Sequence, residues 1–100
     1  MPDTTFVWDT ANVQHIARHS ISPEEAEQVV ENNPIDLAVQ IRNGEERLPH
    51  LGATDDGRVL VVVTVDRDEM VRVVTAFPAD RDMRKYHATV MENRRKQREI

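Results

Sequence analysis

Cysteine is absent from the chain, and its 100 residues include only three glycines, five prolines and four aromatic side chains. Without cysteine there is no disulfide framework, no thiolate metal site and no cysteine nucleophile. So few glycines and prolines exclude a low-complexity linker. No apolar run approaches the ~20 residues that a membrane-spanning helix needs. The opening Met1-Pro2-Asp3-Thr4-Thr5 lacks the basic start and apolar stretch of a signal peptide. Glycine-rich phosphate loops are missing, and Ser20 and Ser22 are the only serines. The common hydrolase and nucleotide-binding motifs are therefore absent. What remains is a single soluble domain over residues 1–100, expected in the cytoplasm, with residues 88–100 as a basic helix end or tail. A chain of this size buries roughly 60–70% of its unfolded surface, enough for one core.

Charge is abundant and unevenly placed. The formal net charge is −5. Six arginines face fifteen acids up to residue 80, whereas seven basic residues face three acids from residue 81 onward. An acidic body with a basic end suits a polyanion or an acidic partner for that end.

The local pattern predicts α+β architecture in the order β-α-α-β-β-β-β-α. Phe6-Val7-Trp8 reads as a strand. Asp9 is placed to cap a short helix over residues 10–19, with Val13, Ile16 and Ala17 at helical spacing. Ser22-Pro23-Glu24-Glu25 has the residues of a capping box with proline at the first helical position. Asn32-Asn33-Pro34 ends that second helix. From Ile35 to Arg42 apolar and polar residues alternate, which predicts one half-buried strand. Asn43-Gly44 is a hairpin turn, and Pro49 marks the return strand, Glu45 to Leu51, as edge-like or bulged. Asp55-Asp56-Gly57 turns the chain into Val59-Leu60-Val61-Val62-Val63, an unbroken apolar block that predicts a central strand buried on both faces. Asp66 to Glu69 makes the next turn, Met70 to Phe77 the last strand, and residues 81–98 a polar helix. The expected arrangement is an antiparallel sheet with helices on one face.

Arg47, Arg58 and Arg72 fall on three strands expected to be neighbours, where guanidinium groups converge as a phosphate clamp. Arg81, Arg84 and Lys85 follow at the start of the last helix, beside Tyr86, as further phosphate-binding groups that can close over the same surface. His15 and His19 share a helix face, but local spacing supplies no third ligand, so no metal site is expected and both are read as structural.

The ordered series Phe6-Val7-Trp8-Asp9, Asn12, His19, Ser22-Pro23-Glu24-Glu25-Ala26, Glu46-Arg47, Gly57-Arg58 through Val63, Arg72 through Ala76, and Arg84-Lys85-Tyr86 resembles BrnT-type toxins. The resemblance runs from about residue 6 to residue 86. It implies a RelE-like fold and a metal-independent, cofactor-free ribonuclease of a type II toxin–antitoxin system. It also implies a DNA-binding antitoxin as partner, with operator DNA reached only through that antitoxin. Cleavage would proceed by attack of the ribose 2′-hydroxyl on phosphorus, giving a 2′,3′-cyclic phosphate. Arg47 and Arg72 would stabilise the developing charge. His50 and Tyr86 are the candidates for proton transfer, although His50 alternates to the face opposite Arg47 unless Pro49 bulges the strand. Phe77 and Met83 stand where family members often carry arginine and an acid. The alternative is a catalytically inactive RelE-like interaction module bound to an antitoxin. An exposed edge at the Pro49 strand would permit a homodimer.

Overall fold

A computed structural model describes residues 4–98, so residues 1–3 and 99–100, the ends of the opening segment and of the basic tail, lie outside it. Nine elements follow one another: β1 (Phe6–Val7), α1 (Thr10–Ala17), α2 (Pro23–Glu31), β2 (Ile35–Asp36), β3 (Gln40–Arg42), β4 (Glu45–Ala53), β5 (Val59–Arg67), β6 (Met70–Pro78) and α3 (Arg81–Arg98).

The starts of the first two helices are set by side chains. The Asp9 carboxylate accepts from the Asn12 amide, and the Asn12 side chain accepts from the Asp9 amide. Ser22 and Glu25 make the same reciprocal box at α2, which satisfies amides that have no partner inside the helix. Turns fall where the chain tolerates positive φ. Asn43 and Gly44 join β3 to β4, and Asp68 and Glu69, at φ of 55° and 64°, join β5 to β6.

The sheet order is β1-β6-β5-β4-β2, with β3 also on β4. It is mixed rather than antiparallel, because β1 runs parallel to β6, Phe6 against Val71 and Val7 against Arg72. Asn12 secures that parallel pair. It is 2% exposed, and its amide donates to the carbonyls of Val7 and Val73, one on each strand. The residues expected as one strand from Ile35 to Arg42 are two. Asp36 pairs with His50 and Gln40 with Arg47, so three residues of one strand oppose two of the other. Pro49 sits at that step. It has no N–H to donate, and its carbonyl accepts from Leu37 before the ladder resumes. The irregularity is thus in the partner strand, and β4 lies inside the sheet with β5 on its other side. The open edge expected at Pro49 belongs instead to β2 and β3.

Helices cover both faces, not one. On the first face Ile16, Ala26 and Val29 of α1 and α2 pack on Leu60, Val62, Val73 and Ala76. On the second face Met83, Val90 and Met91 of α3 lie on Leu51, Val61, Val63 and Phe77. β5 is buried from Leu60 to Val65, as an apolar strand between two helical layers must be. α3 itself has no fully buried residue. It is the lightly attached layer.

Candidate nucleic-acid interface

The register aligns two of the arginines. Leu48 pairs with Thr64, and Val65 pairs with Arg72. Arg47, one residue before Leu48, therefore lies in the same cross-strand row as Val65 and Arg72. Residues in one row share a face. Two strand spacings, about 10 Å, separate the backbones of Arg47 and Arg72.

Arg47 enters an open groove of about 380 Å³ beneath the start of α3. Pro49, Val61 and Val63 line it together with Arg42, Thr75, Phe77 and Met83. The Nε of Arg47 is buried without a hydrogen-bond partner among the described residues. The Glu45 carboxylate is 3.7 Å from it, and that same carboxylate bonds Arg67 at 2.9 Å. Leaving a buried donor unmatched costs about 1–3 kcal/mol, so an acceptor entering the groove has a ready partner.

Arg72 is held differently. Its guanidinium clasps Asp9 with Nη1–Oδ2 at 2.5 Å. The Arg72 hydrogen bond holds the Asp9 carboxyl below its usual value, and the Asn12 amide adds to the effect. Two of the five guanidinium N–H groups are engaged in this way. By register Arg72 lies on the same face of the sheet as Arg47, outside the lining of the groove that Arg47 enters.

The remaining candidates are dispersed. Arg58 donates to the carbonyls of Ser20 and His19 and to both oxygens of Glu25. It fastens the loop between α1 and α2, away from the α3 face. His50 lies on the α1–α2 face, with Nδ1 2.8 Å from Asp36 and Nε2 2.8 Å from Thr64. With no bulge in β4 it stays opposite Arg47, as strand alternation requires. On α3, Arg84 donates to the Ala79 carbonyl. Arg81, Lys85 and Tyr86 are exposed, and their side chains make no hydrogen bond or ion pair among the described residues. Tyr86 flanks the stripe of Met83, His87, Val90 and Met91 that faces the sheet. Burial pushes the His87 imidazole below its usual value, and Arg94 pushes it further.

The groove also contains residues that strand and helix patterns could not assign. Thr75 on its β6 side is within hydrogen-bond distance of His15, Oγ1 to Nε2 3.0 Å. Phe77 meets the His19 ring edge-on. The four-residue spacing of the two histidines was visible in the sequence; their partners, some 60 positions away, were not. No cluster of three or more His, Cys, Asp or Glu among the described residues could hold a metal ion. None of the described helices is long and apolar enough to cross a membrane.

Fold and groove together define a small α+β domain whose α3-covered sheet face carries a row of arginines. The chain matches the family described as ribonuclease toxin, BrnT, of type II toxin-antitoxin system over residues 8–85, and it belongs to that family. The resemblance carried by the tryptophan, capping-box and strand-arginine positions is thereby borne out. No curated protein matches the chain. Membership in a type II toxin family implies an antitoxin as partner.

Proposed function

We propose that this chain cleaves RNA on the α3 face of its sheet, without a metal ion, by intramolecular transesterification. The ribose 2′-oxygen attacks the adjacent phosphorus, and the bond to the 5′-oxygen breaks. The products are a 2′,3′-cyclic phosphate and a 5′-hydroxyl. Arg47 and Arg72 supply positive charge on either side of the phosphate as its oxygens gain negative charge. The observation that carries this reading is the cross-strand row of Arg47 and Arg72, with the buried Arg47 Nε unmatched in a groove of apolar floor. Guanidinium forks suit phosphate oxygens better than ammonium groups do. Arg81, Lys85 and the exposed Tyr86 ring extend the surface along α3, the two cations for backbone phosphates and the ring for a stacked base. A RelE-like ancestry, action in the cytoplasm and an antitoxin that binds operator DNA complete the reading.

A second reading is favoured by a separate observation. Arg72 and Arg58 are in ion pairs, and His50 lies on the other face. An interaction module that binds the antitoxin without cleaving RNA would look the same. Induced expression separates the two. Wild type is expected to arrest growth and cleave cellular RNA, and an Arg47→Ala, Arg72→Ala double variant to do neither. Wild-type expression without arrest or cleavage would establish the inactive module.

A further inference from the structure

β1 covers only the start of β6's outer side. It pairs with Val71 and Arg72 and ends there. Beyond that point α1 takes its place. Asn12 caps the Val73 carbonyl, and the next helical turn brings His15 to Thr75 with Nε2 3.0 Å from Oγ1. One turn later His19 sets its ring edge-on to Phe77, 6.5 Å between centroids. The two imidazoles are themselves 6.5 Å apart. His15 is half-buried and His19 exposed, so neither fills the core. The side chain of His15 has no hydrogen-bond partner other than Thr75 among the described residues, and that of His19 has none. Thr75 and Phe77 are at the same time walls of the groove that holds Arg47. Neither imidazole lines the groove itself; each touches one of its β6 walls, His15 at Thr75 and His19 at Phe77.

We propose that His15 and His19 are the proton-transfer pair of RNA cleavage, with Thr75 as the residue that positions His15; this assignment rests on the ribonuclease reading above. Imidazole is the side chain that can both take and give a proton near neutral pH. In this assignment His15 is the Nε2–H tautomer, its Nε2–H donating to the Thr75 hydroxyl 3.0 Å away, which leaves the Nδ1 lone pair free. That nitrogen takes the proton of the ribose 2′-hydroxyl as the 2′-oxygen bonds to phosphorus. The bond from phosphorus to the 5′-oxygen breaks with its electron pair on oxygen, and protonated His19 gives that oxygen a proton. One proton is taken and one is given, so the pair ends with its protonation states exchanged. Each ring must come within about 2.6–3.2 Å of its oxygen. Rings 6.5 Å apart can each reach one of the two oxygens of a single phosphodiester lying alongside them. Arg47, at the other side of the groove, is placed to receive the non-bridging oxygens.

Single-turnover cleavage of an RNA oligonucleotide in EDTA, followed from about pH 5 to pH 9, tests the pair. Wild type is expected to give a bell-shaped profile. His15→Gln should lose the rising limb and His19→Gln the falling limb, each with a rate about 100-fold lower or more at neutral pH. RNA affinity and melting temperature should stay near the wild-type values. Thr75→Val should lower the rate without moving RNA affinity. His15→Ala should recover rate when free imidazole is added, which loss of fold would not allow. Active wild type with either histidine variant retaining the wild-type rate and profile overturns the assignment alone. Wild type that does not cleave overturns the ribonuclease reading and this assignment with it.

Discussion

Asp9 does two things with one carboxylate. It caps α1 through the Asn12 amide and holds the Arg72 guanidinium on the β6 side. Its folded pKa is depressed from 3.8, mainly by Arg72. A depressed carboxyl stabilises the fold above its unfolded value, and that contribution is lost as pH falls through the folded value. Acid melts between about pH 2 and pH 5 are therefore expected to differ between wild type and Arg72→Ala, with the variant losing stability at the higher pH. Identical acid transitions would show that Arg72 does not hold Asp9. At this scale the sequence was partly legible. The caps at Asp9 and Ser22 follow from residue type and spacing. The fate of Arg58 does not. Its acceptors are the carbonyls of His19 and Ser20, nearly forty residues upstream, and a backbone carbonyl leaves no mark on composition.

Gly52 shows how tightly β4 meets α2. A Cβ there would come 3.0 Å from Pro34 Cβ and 3.2 Å from Val29 Cγ1. Pro34 and Val29 are fixed in the turn after α2 and in the core, so neither can withdraw freely. Gly52→Ala is expected to destabilise the fold by about 1–3 kcal/mol, read as a lower midpoint in chemical denaturation. A midpoint equal to wild type would mean that α2 can move away from the sheet. The strands were partly readable: alternation marked Ile35 to Arg42 as one strand where the fold has β2 and β3, the Asn43-Gly44 turn marked the return into β4, and the run of valines marked β5 as buried on both faces. Pairing partners were not. Nothing in Phe6-Val7 announces that it joins the last strand in parallel, because that pairing is fixed by buried Asn12 reaching two carbonyls at once. Likewise α3, polar for most of its length, reads as a solvated helix, yet its thin stripe of Met83, Val90 and Met91 packs on the second face of the sheet.

For the molecule as a whole, the sign of the charge depends on the face. The net of −5 would repel RNA if it were spread evenly. The acids gather on α2 and in the turns, where Glu25 serves Arg58 and Glu27 serves Trp8. The basic residues lie on α3, whose Met83 lines the groove, and on the strands, where Arg42 and Arg47 line it. RNA affinity is accordingly expected to fall with salt. Arg81→Gln with Lys85→Gln should flatten the log–log salt slope by about one for each phosphate no longer neutralised. A slope unchanged by both substitutions would place the RNA elsewhere. Metal-free cleavage on the arginine-bearing face is tested most directly by treating RNA with purified wild type in EDTA and identifying the new ends. The expected ends are 2′,3′-cyclic phosphate and 5′-hydroxyl, absent with the Arg47→Ala, Arg72→Ala variant. Cleavage that requires a divalent cation, or that leaves 3′-hydroxyl and 5′-phosphate ends, would contradict it.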